Sequence, residues 1–452
     1  MKLPPCFLLF LLLNFQLSAQ EKWTLNDCIS YGIKNNLQVH QAILTEKMAE
    51  QSLRQSRWNL LPGASAGAGA GMNFGRSVDP NTNDMINTAF FNNYYTAGTS
   101  FDLFRGFSLQ NQISYQKFRK QAAENNRLNA VDDLAFSIMN AFFDVIYFEE
   151  LLKIATKQKE LSALNLKKTE ALVAAGLKSQ ADLLEVKANL EKEELFCIQT
   201  GNNLASALIS LRKTMNTGPG KTLELLPPEE PVILATPALP DPSGLFAHHI
   251  SWSPQIRQRE NEWQASLKSI RISQAAFFPS IRLQAAYNTG FYETNKDANR
   301  RVIPFAEQIR NNRNQSIGAY LSIPLFSKQM ARIGVTQSRL ASEEAQTRLE
   351  QARQNLFYNI VEDCNKLEAA IQESSQAEKQ FEADKLAFEA AQKKYTQGLI
   401  GVIELYTVQN RLGNAASQLL RAKLTYEIQQ RVIDFYSGKR FWEENNENEN
   451  LK

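Results

Sequence analysis

The residue types that most often bind metal ions or act as nucleophiles are sparse in this chain. Three histidines and four cysteines are present, at His40, His248, His249, Cys6, Cys28, Cys197 and Cys364. The adjacent pair His248 and His249 has no acid or cysteine beside it at the spacing of a metal site. The cysteines form no C-x-x-C pair. The sequence therefore predicts no catalytic residue, no metal site, no cofactor and no enzymatic activity.

Two acidic residues stand at equivalent places, and their chemistry is electrostatic. Asp182 follows Gly176 by six residues, and Glu404 follows Gly398 at the same distance. Ser179 precedes Asp182 in a capping-box pattern, and a glycine three residues before Glu404 is its candidate N-cap. One interpretation is that both acids only stabilise helix starts. The other is that they line an opening, which depends on the architecture around them.

These acids belong to an internal repeat that covers most of the chain. One glycine and four apolar residues recur at an offset of 222 residues, as Gly176, Leu177, Leu183, Val186 and Leu190 and as Gly398, Leu399, Leu405, Val408 and Leu412. At an offset of 217 residues, Pro62 is matched by Pro279. The chain is therefore predicted to contain two copies of one unit.

Each copy is predicted to contain a helix, two strands, a very long helix and a return helix. In the first copy these span about 26–58, 63–75, 94–104, 107–174 and 179–215. In the second they span 252–276, 280–290, 315–326, 329–396 and 402–436, with a loop at 291–314. Proline and glycine at the boundaries set these ends. Seven prolines within 219–242 predict an irregular connector between the copies.

The N-terminus has the pattern of a secretory signal peptide. Lys2 precedes an apolar run at 7–13, and Leu17-Ser18-Ala19 offers a cleavage site. No later stretch contains 18 consecutive apolar residues, so no transmembrane helix is predicted. The net charge of +3 without a basic cluster argues against nucleic-acid binding.

Both long helices carry seven-residue apolar spacing, which predicts coiled-coil packing. Their rows are Val131, Ile138, Val145, Leu152, Leu166 and Val173, then Leu134, Ala141, Phe148 and Ala155, and in the second copy Ile360, Leu367, Phe381, Phe388 and Tyr395. A helix over 107–174 is about 102 Å long. The first helix (26–58) and the return helix (179–215) together match that length, which predicts that they stack end to end.

The predicted strands alternate between apolar and polar residues. One face carries Tyr95, Ala97, Thr99, Phe101 and Leu103, then Ile281, Leu283, Ala285 and Tyr287, then Ile317, Ala319, Leu321, Ile323 and Leu325. Each strand is long enough to cross a bilayer when tilted, and aromatic residues cluster at both ends. Four strands cannot close a barrel, so a membrane barrel would require several chains.

The junctions between elements resemble those of the TolC family of outer-membrane factors. They are Leu60-Leu61-Pro62, Phe277-Phe278-Pro279, Leu103-Phe104-Arg105-Gly106, Pro324-Leu325-Phe326 and the two glycine turns. The resemblance implies a mainly α fold with a long α-helical barrel and a 12-stranded transmembrane β-barrel shared by a homotrimer. It implies an exit duct in the outer membrane that receives substrates from a periplasmic adaptor and an inner-membrane RND, ABC or MFS pump. Outer-membrane lipid is the further partner.

The same resemblance assigns roles to residues. It implies that Asp182 and Glu404 line the periplasmic entrance and that Tyr395 helps to hold it closed. The helix-turn tips are Gly176, Leu177, Gly398 and Leu399, and the helix-to-strand junctions are Pro62 and Pro279. Ile400 and Thr407 depart from the family pattern, since some members have an arginine and a second acid there.

Five segments follow from these observations. They are a signal peptide at 1–19, a first repeat at 20–218, an equatorial connector at 219–247, a second repeat at 248–438 and a polar tail at 439–452. The alternative function is that of a periplasmic adaptor or a structural coiled coil. An adaptor would have one hairpin between β-rich halves, whereas this chain is predicted to have two hairpins.

Overall fold

A computed structural model describes residues 22–78, 83–218, 223–227 and 239–442 of the 452-residue chain. The predicted signal peptide at 1–19 and most of the predicted tail lie outside these ranges. The described chain splits into two compact units. We call Met1–Ile43, Asn126–Pro254 and Arg353–Lys452 the helical unit, and Leu44–Asn125 and Gln255–Ala352 the sheet unit. Each sequence repeat contributes to both units.

The elements of the first repeat follow the predicted order. They are β1 (Lys22–Trp23), α1 (Leu25–Asn35), α2 (Leu37–Trp58), β2 (Gly63–Asn73), β3 (Arg76–Val78), β4 (Met85–Asn87), β5 (Phe90–Arg105), α3 (Ser108–Ala174), α4 (Gln180–Met215) and β6 (Glu224–Leu225). The predicted helix over 26–58 is in fact two helices, and the predicted loop before β5 contains the short β3–β4 pair.

The end of the connector and the second repeat contain two helices that the sequence did not predict, α5 and α7. The elements from residue 242 onwards are α5 (Pro242–His249), α6 (Pro254–Gln274), a 3-10 turn (Ala275–Phe277), β7 (Ser280–Tyr292), α7 (Phe305–Asn311), β8 (Asn314–Ser322), α8 (Met330–Thr396) and α9 (Val402–Tyr436). Helix α5 begins inside the predicted irregular connector, because proline is tolerated in the first turn and Asp241 caps it. Strand β8 ends at Ser322 rather than at residue 326, before Pro324.

Asn36 divides the predicted first helix because its side chain finds partners in two directions. Its Oδ1 accepts hydrogen bonds from the amides of Gln38 and Val39, as an N-cap does. Its Nδ2 donates to the carbonyl of Thr214 at 2.8 Å, in the last turn of α4. The end of α4 therefore meets the start of α2, where the sequence predicted stacking.

The helical unit has one main apolar core around the middle of α3. Leu134, Ile138, Phe142 and Val145 are buried there against α1, the end of α4 and the end of α9. The heptad row of α8 is buried in the same unit, with Ile360, Leu367, Phe388 and Tyr395 all nearly inaccessible to solvent. The predicted heptad positions are thus the packed side of both long helices.

The start of the predicted polar tail is part of this core rather than frayed. Phe441 and Trp442 are 5% and 7% exposed. Both rings contact Phe136 of α3, with centroids 5.6 and 6.3 Å away. Burial of these two large apolar side chains is favourable, so the described part of this segment packs against the core although the residues that follow are polar.

The sheet unit contains one four-stranded antiparallel sheet in the order β2-β5-β7-β8. The central pair joins a strand of the first repeat to a strand of the second. A bulge between Asp102 and Phe104 shifts the register of β5. The register therefore places Phe104 opposite Ile281, where uninterrupted alternation would place Leu103. Strands β2 and β8 are the two edges.

Candidate functional site

The two helix turns have the same backbone geometry. At the end of α3, the amide of Leu177 donates to Leu172 and that of Gly176 donates to Val173. At the end of α8, Leu399 donates to Lys394 and Gly398 to Tyr395. These paired bonds are the Schellman motif, which requires a left-handed residue. Gly176 and Gly398 supply it, with φ of 71° and 72°.

Each turn presents a large apolar side chain to solvent. Leu177 is 71% exposed and Leu399 is 69% exposed. Each follows the left-handed glycine directly, so the tight turn leaves its side chain nothing within its own chain to pack against. The two leucines are exposed at matching positions of matching turns, which makes both turns candidate contact surfaces.

Asp182 forms the capping box that its sequence pattern indicates. Its Oδ2 accepts from the amide of Ser179 at 3.1 Å and from the Ser179 hydroxyl at 2.9 Å, and its own amide donates to that hydroxyl. These bonds from Ser179, followed by the charge of Lys178, lower the pKa of Asp182. The carboxylate is thus held charged at the start of α4.

Glu404 is placed differently, although it stands at the equivalent position of α9. The N-cap there is Gly401, which has no side chain to complete a capping box. Glu404 lies in the first turn of α9 and is exposed. Its charge still faces the positive end of the helix dipole. The capping interpretation therefore explains the position of Asp182 better than that of Glu404.

Tyr395 is buried between the helices near these turns. It packs in a cluster with Val186, Phe388, Val402 and Leu405. Its hydroxyl is 3.1 Å from Oγ1 of Thr169, and the ammonium of Lys178 lies 5.5 Å from its ring centroid. Tyr395 therefore ties α8 to α3 and to the residue just before the cap of α4. Ile400 packs against the same cluster, and Thr407 is exposed.

A buried polar layer lies beside Tyr395, and the sequence analysis missed it. Ser162 and Thr169 are both 0% exposed. Gln409 of α9 donates to Oγ of Ser162 at 3.1 Å, and Asn165 donates to Gln409 at 3.5 Å. The signal was present, because the heptad row that ends at Ala155 reaches Ser162 and Thr169 in two further steps of seven. The apolar row thus becomes polar towards the turn.

The helix-to-strand junctions lie where the prolines predict them. Pro62 directly precedes β2, and Pro279 directly precedes β7. Close packing reinforces the second junction, since a Cβ added to Gly106 would lie 2.8 Å from the carbonyl oxygen of Ala275. The left-handed φ of Gly106, 56°, turns the chain from β5 into α3.

The register of the whole sheet sorts its residues into two faces. The apolar face carries Ala64, Ala66, Ala68, Ala70 and Met72, then Phe91, Tyr95, Ala97, Thr99 and Phe101, then Ile281, Leu283, Ala285, Tyr287, Thr289 and Phe291, then Ile317, Ala319 and Leu321, and it also includes the polar Asn93 and Gln315. The polar face carries Ser65, Gly67, Gly69, Thr96, Gly98, Ser100, Asp102, Arg282, Gln284, Asn288, Asn314, Ser316 and Tyr320, and it also includes Asn92, Tyr94, Ala286 and Tyr292. Asp102 and Arg282 pair there at 2.7 Å.

Among the described residues, no helix is apolar over a length that would span a bilayer. The same residues contain no group of three or more histidine, cysteine or acidic side chains that could hold a metal ion. Cys28 and Cys364 are buried, and burial is the first cause of the raised pKa of each thiol. The predicted lack of a catalytic centre stays a prediction.

The chain thus contains a two-faced antiparallel sheet and two 67-residue helices that end in matching turns, and its class follows from the comparison with known families. The family model for the outer membrane efflux protein matches residues 29–217 and 249–439. The chain belongs to this family of efflux channel proteins, which is not an enzyme family. The predicted resemblance, fold class and outer-membrane location are confirmed.

Named relatives and solved structures agree with this assignment. The chain is 21% identical to the outer membrane protein TolC of Salmonella enteritidis over 68% of its own length and 61% of that protein. It is 24% identical to the solvent efflux pump outer membrane protein SrpC of Pseudomonas putida, over 40% of the chain and 37% of the relative. The matches thus span less than two thirds of these relatives.

Solved structures show the same fold at low identity. The channel CusC superposes with a TM-score of 0.77 and 16% identity, covering 91% of each chain. The outer membrane protein VceC of Vibrio cholerae superposes with a TM-score of 0.75 and 15% identity, covering 90% of this chain and 95% of that one.

Proposed function

We propose that the chain is one protomer of a trimeric exit duct in the outer membrane. The observation that carries the proposal is the sheet register, which gives one mainly apolar face, one mainly polar face and two edges with no further strand partner among the described residues. An edge cannot remain open in lipid. Three chains that join β8 of one to β2 of the next would close 12 strands, with the apolar face towards lipid and the polar face towards the pore.

The duct passes substrates that a periplasmic adaptor and an inner-membrane pump of the RND, ABC or MFS type deliver. It catalyses no reaction, and the pump supplies the energy. The family membership supports this assignment, as do the names of relatives that are efflux-pump outer-membrane proteins. The exposed Leu177 and Leu399 are the proposed adaptor contacts. The segment boundaries given above, including cleavage after Ala19, are part of the proposal.

The first test is electron microscopy of the mature protein extracted from membranes in detergent. We expect three-fold symmetric hollow particles. A soluble monomer or a solid rod would overturn the duct and favour the periplasmic adaptor or the structural coiled coil. Mass spectrometry of the same sample checks that the mature chain starts at Gln20.

Asp182 and Glu404 are the proposed acidic lining of the periplasmic entrance. Six carboxylates around one opening, two from each of three chains, would favour cations. Planar-bilayer recordings of the double variant Asp182→Asn and Glu404→Gln should show reduced cation selectivity. Ser179→Ala is the matched control, because it breaks the capping box and keeps both charges. Equal selectivity in the double variant and the wild type would leave only the capping role.

A further inference from the structure

The loop between β7 and β8 is a folded structure rather than an open connection. Residues 295–303 form a narrow hairpin, in which Ile303 donates to Asn295 and Lys296 pairs with Val302. At its end, Oδ1 of Asp297 accepts from the amides of Asn299 and Arg301 at 2.9 and 2.8 Å. Helix α7 follows directly.

Helix α7 takes the place of β8 beside the last residues of β7. Strand β8 pairs with β7 only as far as Asn288 and Asn314. Beyond that point Gln308, 1% exposed, accepts from the amide of Tyr292 and donates to its carbonyl, at 3.1 and 3.0 Å. Nδ2 of Asn312 donates to the carbonyl of Gly290. Side-chain amides thus replace the missing strand and fix α7.

The helix lies on the apolar face of the sheet. The ring of Phe305 is 6.5 Å from Tyr95 and 5.8 Å from Phe291, and Oγ1 of Thr289 donates to the carbonyl of Ile309 at 2.6 Å. All three strand residues belong to the apolar face. Helix α7 is therefore on the side of the sheet proposed to face lipid, and not on the side proposed to face the pore.

The loop has more basic than acidic residues, and two of its three acids accept hydrogen bonds from backbone amides. Residues 293–313 contain five basic and three acidic residues. Of the acids, Glu293 accepts from the amide of Phe91, and Asp297 holds the hairpin turn. Four arginines are exposed, and the ion pairs found in the described chain involve none of them: Arg300, Arg301, Arg310 and Arg313. The other loop at this end of the sheet, residues 74–89, has one basic and two acidic residues.

We propose that these four arginines, with the aromatic cluster of Phe91, Tyr95, Phe291 and Phe305, bind the phosphate groups of anionic lipids at the membrane surface. The inference rests on the proposed function, which places the apolar face in the bilayer. Guanidinium groups bind phosphate oxygens in pairs of hydrogen bonds. Aromatic rings favour the interface between acyl chains and headgroups. Lipid phosphates carry the charge that complements the loop.

The test compares lipid binding by three forms of the full mature protein in detergent. The loop variant carries Arg→Gln at 300, 301, 310 and 313. The control variant carries Lys→Gln at 157, 167, 168 and 187, which removes the same charge from exposed positions of the helical unit. Native mass spectrometry measures bound phosphatidic acid against phosphatidylcholine. Flotation with phosphatidylcholine vesicles first establishes that each form inserts into a bilayer.

The wild type and the control should prefer phosphatidic acid, and the loop variant should bind it roughly tenfold more weakly. Equal binding by all three forms overturns the lipid site and leaves the duct intact. Failure of the wild type to insert overturns the proposed function itself. Displacement of the lipid by inorganic phosphate at the same phosphate concentration would assign the site to free phosphate. Unchanged lipid binding with lost anion conductance would assign the arginines to the pore exit.

Discussion

His249 is a buried histidine held neutral by its surroundings. Its ring lies among Trp252, Phe435 and Tyr436, with centroids 4.4, 5.3 and 5.1 Å away. Burial, followed by the charges of His248 and Arg440, lowers its pKa to about 4. Its Nδ1 has no hydrogen-bond partner among the described residues. The aromatic surroundings therefore favour the uncharged form of the His249 ring. His249 is the last residue of α5, and its ring packs against the end of α9.

This lowered pKa predicts a loss of stability in acid. Below pH 6.5 the unfolded chain binds a proton at His249 that the folded chain excludes until about pH 4, so the stability falls across that window by about 3 kcal/mol. Thermal unfolding in detergent is followed by circular dichroism from pH 8 to 4. The unfolding temperature of His249→Phe should depend less on pH than that of the wild type. The exposed His40→Gln is the control. The same pH dependence in His249→Phe and wild type would contradict this account.

A second residue-scale prediction concerns the bond between Thr169 and Tyr395. Thr169→Val leaves the buried tyrosine hydroxyl without its partner and should destabilise the protein by about 1–3 kcal/mol. Tyr395→Phe should cost less, because Thr169 still donates to the carbonyl of Asn165. The double variant should be no less stable than Thr169→Val alone. Additive losses in a thermal double-mutant cycle would show that the two side chains are not coupled.

The two long helices that lead to the proposed entrance residues each end in a turn of the same geometry. The Schellman geometry at Gly176 and Gly398 accounts for the 222-residue repeat more directly than the apolar residues do, since both backbones must reverse in the same way. The two returning helices are then capped differently, by Ser179 and by Gly401. The turn is duplicated, whereas the capping chemistry is not.

The turn glycines predict a contrast between two kinds of Gly→Ala substitution. Gly176→Ala and Gly398→Ala should each destabilise their turn by about 1–2 kcal/mol, because an L-residue is strained at this φ. Gly201 lies inside α4, and a Cβ added there would have open space around it. Gly201→Ala should instead stabilise the helix by up to about 1 kcal/mol. Hydrogen exchange of the amides at 173–181 and 395–403 measures the local effect. Unchanged exchange in the turn variants would contradict the assigned strain.

At the scale of the molecule, the sheet is incomplete within one chain. Strands β2 and β8 each have one side without a strand partner among the described residues. Ile317 on β8 is 89% exposed on the apolar face. Such a surface is costly in water and requires either lipid or another chain. These features of the single chain are those expected of one subunit of an assembly.

The open edges predict which strands meet between protomers. Ile317→Cys combined with Ala64→Cys, Ala66→Cys or Ala68→Cys in turn should give disulfide-linked species of up to three chains in membranes. The three β2 positions cover the possible registers on the apolar face. Ile317→Cys with Ala97→Cys is the control, since β5 is paired on both sides. Cross-links limited to two chains, or equally strong in the control, would contradict a closed ring of three.

The sequence alone determined the order of the main elements and the ends that proline or glycine sets, because these depend on neighbouring residues. Proline before β2 and β7, glycine after α3 and α8, and seven-residue apolar spacing all act within a few positions along the chain. The same local signals carried the family resemblance and the positions of Asp182, Glu404 and Tyr395. They were sufficient for the fold class.

Only the tertiary structure decided features that depend on residues far apart in sequence. Asn36 breaks a helix because its amide reaches Thr214, 178 positions away. Trp442 is buried because Phe136 is beside it, and α7 forms because its amides replace a strand. The burial of Ser162 and Thr169 depends on Gln409 and Tyr395 of other helices. Local periodicity placed Ser162 and Thr169 on the packed side of α3, but it does not identify such partners, because each contact exists only after the chain has packed.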